Sequence, residues 1–205
     1  MAFHWGDPLA DRSLGARLAA YRTYQPRATP PAGLIADVAY QVHDTVVGPL
    51  VLAVGERGVL ACSYQPEQAV TARLAEVVSA VVVRDPRRTD PLRRQIDQYL
   101  AGRRRRFDIE VDLRLASPFA HEVLDVLTSV PYGTTISYTQ LAARIGRSGA
   151  SRAVGTVLGT NPVCIVLPCH RVLRAGGGLG GYAGGIEAKI HLLTLEGIPT
   201  DQPRP

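Results

Sequence analysis

Ser137 to Val172, SYTQLAARIGRSGASRAVGTVLGTNPVCIVLPCHRV, sets the architecture of the C-terminal half. Ser137 reads as an N-cap, with Gln140 three residues later completing a capping box. Leu141, Ala142 and Ile145 form the apolar face of a first helix, and Gly146 is placed to end it. After a short turn, Ala150, Val154, Val157 and Leu158 share one face of a second helix, which Asn161-Pro162 stops. Two short helices around a tight turn containing Gly146 and Gly149 make a helix-turn-helix arrangement. The apolar run Val163 to Leu167 then reads as a strand ended by Pro168, with Cys169 emerging next to His170 and Arg171.

The second helix carries Gly149, Ala150, Ser151, Ala153, Gly155 and Gly159 around one long side chain, Arg152, which points away from the buried face. A major-groove reader needs several long polar side chains to reach base edges. Small residues instead permit close approach to a nucleic-acid backbone from a shallow or narrow groove, with Arg152 free to enter the base stack. The same composition also suits tight helix packing with Arg152 as ordinary surface, and the segment alone does not decide between the two.

A thiolate is the reactive form of cysteine, and a neighbouring His and Arg lower a thiol pKa. Neighbouring side chains on a strand point to opposite faces, so His170 would reach the Cys169 sulfur through a bridging water. A Cys-His hydrolase rarely has the pair adjacent in sequence. Zinc on Cys164, Cys169 and His170 would have three ligands in an awkward geometry. A buried cysteine in a plain DNA-binding domain is the remaining alternative. The following loop, Gly176 to Gly185, lacks the Lys-Ser or Lys-Thr ending of a P-loop, but can fold over a flat ligand with Tyr182 as a stacking face. A last helix from Ile186 to Glu196 is expected to bury Ile186, Ile190 and Leu193, with Gly197 closing it. Glu196 sits where the helix dipole disfavours a carboxylate, which hints at a task such as orienting His170.

Toward the N-terminus, Phe119, Val123, Val126 and Leu127 mark a helix from Ser117 that Val130-Pro131-Tyr132-Gly133 stops. Phe107 to Leu113 alternates as a last strand or an extended crossing between two subdomains. Arg103 to Arg106 is a solvated turn or a phosphate contact. Leu92, Ile96, Tyr99 and Leu100 share one helical face; Val70, Leu74, Val77 and Val78 share another. Leu50 to Val54 and Val59 to Cys62 flank the turn Gly55-Glu56-Arg57-Gly58, and Val38, Tyr40 and Val42 alternate as a further strand. Asp7 to Thr23 suits a short helix, followed by a proline-rich linker from Gln25 to Pro31.

The 205 residues suit one ordinary domain or two small ones, and a hydrophobic content of 46% supports a core. The formal charge of +5 fits a polyanion-binding surface without requiring one. Met1 to Leu9 lacks the pattern of a signal peptide, and no apolar run approaches the about 20 residues that span a bilayer. Three cysteines are an odd number, which argues against a disulfide framework. A soluble, cytoplasmic protein with reduced thiols is the expectation.

Pro168-Cys169-His170-Arg171-Val172 resembles the signature of the O6-alkylguanine-DNA alkyltransferases, also called methylated-DNA–protein-cysteine methyltransferases. The similarity runs from about Phe107 to Gly197 and includes Val130-Pro131-Tyr132-Gly133, Ser137-Tyr138, Arg152-Ala153-Val154-Gly155, Asn161-Pro162, Gly181-Tyr182-Ala183-Gly184-Gly185 and Leu195-Glu196-Gly197. The block from Val38 to Leu100 carries no diagnostic motif. The resemblance implies an α/β protein: an extension at 1–34, a ribonuclease-H-like sheet domain at 35–115, and a helical domain at 116–205 with a winged-helix-like helix-turn-helix. It implies DNA repair by one irreversible transfer of an alkyl group from O6-alkylguanine, or also O4-alkylthymine, in duplex DNA to Cys169. His170 would be the base through a water, Glu196 would hold His170, and Asn161 would form the hinge between recognition helix and active-site segment. Arg152 would fill the gap left by the extruded nucleotide and Tyr138 would press on the backbone phosphate. Ala150, Ser151 and Gly155 would meet the DNA; Leu158, Val172, Tyr182 and Ala183 would line the guanine pocket. No metal or organic cofactor is implied, nor any membrane. The expected state is a monomer in solution, acting singly or cooperatively on DNA.

The sequence also departs from the family. Cys62 is the only cysteine before residue 164, which excludes the all-cysteine zinc site that some members carry in the N-terminal domain. Ser151 stands where members commonly have alanine and can donate to a phosphate. Relatives that bind lesions without repairing them lack the nucleophile, whereas Cys169 is present here.

Overall fold

A computed structural model describes residues 37–200. The expected helix between Asp7 and Thr23 and its proline linker lie outside the described residues. The chain opens with strands β1 (Val38–His43), β2 (Leu50–Gly55) and β3 (Gly58–Ser63), followed by helix α1 (Glu67–Val77), strand β4 (Val82–Arg84) and helix α2 (Pro86–Leu100). The sheet order is β3-β2-β1-β4: β1 and β3 run antiparallel to β2, and β4 runs parallel to β1. The hairpin pairs Gly55 with Gly58 across Glu56-Arg57, as the turn residues predict. The three-residue β4 was not legible, because so short a run shows no period.

One face of the sheet buries Tyr40, Val51, Ala53 and Leu60 under Val70 and Leu74 of α1. The other presents Leu50, Leu52, Val59 and Cys62 to Leu92, Ile96 and Tyr99 of α2, in a core continuous with the C-terminal helices. Asp85 caps α2 by accepting from the backbone N–H groups of Arg87 and Arg88, and Pro86 fits the first helical position, where no amide partner is needed. The four-arginine run folds on itself, with Arg104 donating to Gln98 Oε1 and to the Arg106 carbonyl, and Arg105 lying over Tyr132. Phe107 to Leu113 is the extended crossing; its one rung is the parallel bridge between Val59 and Val111.

Helix α3 (Pro118–Leu127) starts at Ser117, whose hydroxyl accepts from Ala120 N–H. The helix-turn-helix follows as α4 (Tyr138–Arg144) and α5 (Ser151–Gly159). The capping box is complete: Ser137 Oγ accepts from Gln140 N–H at 3.1 Å and Gln140 Oε1 accepts from Ser137 N–H at 2.8 Å. Gly146, at φ 72°, turns the chain after α4 in the left-handed region that glycine enters without steric cost. The two-residue strands β5 (Ile136–Ser137) and β6 (Val172–Leu173) pair in parallel, and α6 (Gly185–Leu195) closes the described chain. No helix among the described residues is long and apolar enough to cross a membrane.

Two expectations are corrected. Val163 to Leu167 is not a strand. Only Val163 bridges β3, through Cys62 N–H to the Pro162 carbonyl and Cys164 N–H to the Cys62 carbonyl. The chain then turns through Ile165, at φ 71°, and Leu167 N–H reaches back to the Val163 carbonyl at 3.0 Å. Cys169–Arg171 forms a single 3-10 turn. Apolar composition predicted extension, but Asn161 supplies polar partners that favour a closed loop. On α6 the buried positions are Ala188, Lys189, Leu192 and Leu193, while Ile186 is 41% exposed. The buried face rotates because Lys189 turns inward.

Candidate active site

The loop 161–169 is organised by one amide. Asn161 Oδ1 accepts from Val163 N–H at 3.0 Å, and Nδ2 faces the Leu167 carbonyl and the Cys169 sulfur, each at 3.2 Å. Cys169 is buried, with 3% of its surface exposed. Its thiol pKa is held below the ordinary value, first by a hydrogen bond from the Cys164 thiol, against the opposing effect of burial, and further by the Asn161 amide and the Lys189 charge. Lys189 is itself fully buried: Nζ donates to the carbonyls of Val172 at 2.7 Å and Leu179 at 2.5 Å. It thereby ties the glycine-rich loop to β6. Burial lowers its pKa to about 8, with a Cys169 charge acting in the opposite sense.

Behind the sulfur lies a fully paired carboxylate. Glu196 Oε1 is 2.9 Å from His170 Nε2, 2.5 Å from the Tyr99 hydroxyl and 2.9 Å from Arg171 Nη2; Oε2 accepts from Gly133 N–H at 2.9 Å. Arg171 also donates to the Val130 carbonyl. Burial alone would raise the Glu196 pKa, but the hydrogen bonds from His170 and Arg171 hold it at about 2. An ionised Glu196 accepts, so His170 carries its proton on Nε2. Burial keeps that imidazole neutral by lowering its pKa. Nδ1 is then the basic nitrogen, and it is buried with no hydrogen-bond partner among the described residues.

A groove of about 590 Å³ opens beside these residues, lined by Tyr138, Ser151, Arg152, Gly155, Leu158, Tyr182 and Ala183 among others. Burial first, and a Cys169 charge second, push the phenols of Tyr138 and Tyr182 up. Arg152 is exposed on α5. Two residues stand apart from the groove wall: Val172 is fully buried and paired with Ile136, and Ala150 sits at the N-terminal boundary of α5. Sequence reasoning missed Tyr99, Lys189 and Tyr64, and read Arg171 as a neighbour of the thiol rather than as the partner of Glu196. Tyr64 meets Tyr182 edge-on at 5.6 Å and lies so close over Gly184 that a Cβ there would come within 2.5 Å of its ring. Only the Lys189 side chain, a lone lysine among 23 basic residues, carried any signal in composition.

The 6-O-methylguanine DNA methyltransferase DNA-binding-domain family matches residues 118–198. A methylated-DNA–protein-cysteine methyltransferase of Mycobacterium tuberculosis is 41% identical over 159 residues, covering 78% of this chain and 92% of the relative. A crystal structure of Mycobacterium tuberculosis OGT in complex with DNA superposes with a TM-score of 0.67 at 37% identity, covering 78% of this chain and 93% of that one. The O6-methylguanine-DNA methyltransferase of the archaeon Pyrococcus kodakaraensis superposes with a TM-score of 0.54 at 26% identity, covering 78% and 99%. With the cysteine, the paired histidine and the helix-turn-helix in the arrangement described, the chain belongs to the methylated-DNA–protein-cysteine methyltransferase family.

Proposed function

We propose that the protein repairs O6-alkylguanine in duplex DNA by moving the alkyl group irreversibly onto Cys169. The observation that carries this reading is the Cys169 thiol, buried yet lowered in pKa, beside a groove edged by Arg152 and Tyr138. His170 Nδ1 takes the thiol proton through a water, while Glu196 fixes the imidazole. The thiolate attacks the alkyl carbon: an S–C bond forms, the C–O6 bond breaks, and the electron pair leaves on guanine O6. The proton held by His170 returns to the guanine. The thioether has no ready leaving route, so each molecule acts once.

The alkyl group is inaccessible within a base stack, so the nucleotide must leave the duplex first. Arg152 fills its place, Tyr138 presses the phosphate, and Ala150, Ser151 and Gly155 let α5 approach the backbone. Leu158, Tyr182 and Ala183 receive the guanine, with Val172 supporting the pocket from behind. The protein acts as a monomer in the cytoplasm. We read residues 35–115 as a ribonuclease-H-like domain, supported by the order β3-β2-β1-β4 with β4 parallel to β1. Residues 116–205 form the DNA-binding and transfer domain. The short β5–β6 pair beside α4 supports the winged-helix-like reading.

Arg152→Ala is expected to slow repair in duplex DNA roughly 10- to 100-fold, the equivalent of a partly lost extrusion wedge, while changing reaction with free O6-benzylguanine little. Single-turnover rates on both substrates measure this; equal losses would remove Arg152 from that role. The overall reading is tested by intact and peptide mass spectrometry after mixing the protein with a duplex holding one O6-methylguanine. One methyl on Cys169 per molecule is expected. An unmodified protein that still binds the duplex would make it a lesion sensor.

A further inference from the structure

We propose that Cys164 is a positioning residue for the transfer step, its thiol serving beside the Asn161 amide as a second hydrogen-bond donor to the Cys169 sulfur. The loop brings both thiols onto Asn161: Cys164 Sγ lies 3.4 Å from the Asn161 carbonyl, and Cys169 Sγ lies 3.2 Å from Asn161 Nδ2. The left-handed turn at Ile165 and the bridge between Cys164 and Leu167 fold residue 164 back toward residue 169. A thiol has one hydrogen: the structure directs it to the Asn161 carbonyl, and the Cys169 sulfur, held on the amide of the same residue, is the competing acceptor in the transfer step. When Cys169 is neutral, the carbonyl is the better acceptor. When it ionises, the negative sulfur is, because a hydrogen bond to a charged acceptor is about twice as strong. Once Cys169 is a thioether it accepts weakly, and the hydrogen returns to Asn161. Cys164 thus keeps its proton throughout, consistent with a pKa raised by that same hydrogen bond to Cys169 and by burial.

The other titratable groups around the Cys169 sulfur are Cys62 from β3, Tyr64, Tyr138 from α4, Tyr182 and Lys189 from α6, with His170 next to it in the chain. The first four are pushed up, chiefly by burial, and stay neutral near pH 7. His170 is neutral there, and Lys189 titrates at about 8. Lys189 is common to every variant below, so differences between their pH profiles report on residue 164.

This inference rests on Cys169 being the alkyl acceptor. The test is the pH dependence of transfer from free O6-benzylguanine, read as mass added to Cys169, in wild type, Cys164→Ala and Cys164→Ser. Free substrate removes base extrusion from the rate. Cys164→Ala is expected to move the rising limb to higher pH and slow transfer about tenfold at neutral pH. Cys164→Ser, which retains a donor of similar size, is expected to stay within about threefold of wild type. A wild-type profile for Cys164→Ala overturns the proposal, whatever happens to its melting temperature. Equal displacement of both variants also overturns it, since packing would then explain the change. Benzyl transfer found on a residue other than Cys169 in the wild type would instead overturn the functional reading beneath it.

Discussion

Replacing Cys169 with alanine is expected to abolish alkyl transfer while leaving affinity for duplex DNA within about twofold of wild type. The sulfur is buried and offers nothing to a phosphate, so the electrostatic contacts that dominate DNA affinity remain. The fold should tolerate the change at a cost of about 1 kcal/mol, because only one heavy atom leaves the core. Asn161 Nδ2 keeps the Leu167 carbonyl as acceptor and is not orphaned. Neither Cys62 nor Cys164 is expected to stand in: burial pushes the Cys62 thiol up, and Cys164, buried as well, directs its hydrogen to the Asn161 carbonyl. Mass spectrometry with an alkylated duplex, paired with fluorescence anisotropy on the same DNA, measures both properties. Residual transfer at full stoichiometry would assign the nucleophile elsewhere. Loss of binding together with transfer would make Cys169 structural.

Glu196→Gln is expected to have the second-largest effect, acting on stability and rate together. The carboxylate accepts from His170, Tyr99, Arg171 and Gly133 N–H within a site closed to solvent. Glutamine retains the shape but leaves the Arg171 guanidinium without its counter-charge. Breaking such a pair costs about 3–5 kcal/mol, which for a domain of this size lowers the melting temperature by roughly 10 °C. The folded-state pKa of about 2 lies below the ordinary 4.5. The carboxylate therefore contributes its full stability above 4.5, and that contribution is lost as pH falls toward 2. The stability gap between wild type and variant should follow the same window. Transfer should slow about 100-fold or more, because His170 loses the acceptor that fixes its proton on Nε2. Glu196→Gln combined with Arg171→Met separates the two effects: removing the stranded cation should recover much of the melting temperature but not the rate. Recovery of both would reduce Glu196 to a structural role.

Local chemistry made much of this protein legible before its structure. The capping box at Ser137 and Gln140, the hairpin at Glu56-Arg57 and the stops at Gly146 and Asn161-Pro162 depend on residues within four positions of each other. The adjacency of Cys169 to His170, and the placement of Glu196 against its helix dipole, were visible for the same reason. What pairs across the fold was not. Tyr99 reaches Glu196 from 97 positions away, and Lys189 looks like surface until one carbonyl of β6 and two of the glycine-rich loop surround its ammonium. Val163 to Leu167 has the composition of a strand, but a strand needs partners, and β3 offers only one rung there while Asn161 offers several bonds to a closed loop. Residue order and short-range period were enough to place Cys169 beside His170 and Arg171 and to pair two short helices around a tight turn, because both depend only on neighbours along the chain. Which groups surround the sulfur emerged with the packing of the whole chain, because a buried polar atom takes its partners from whatever segment comes within hydrogen-bond reach.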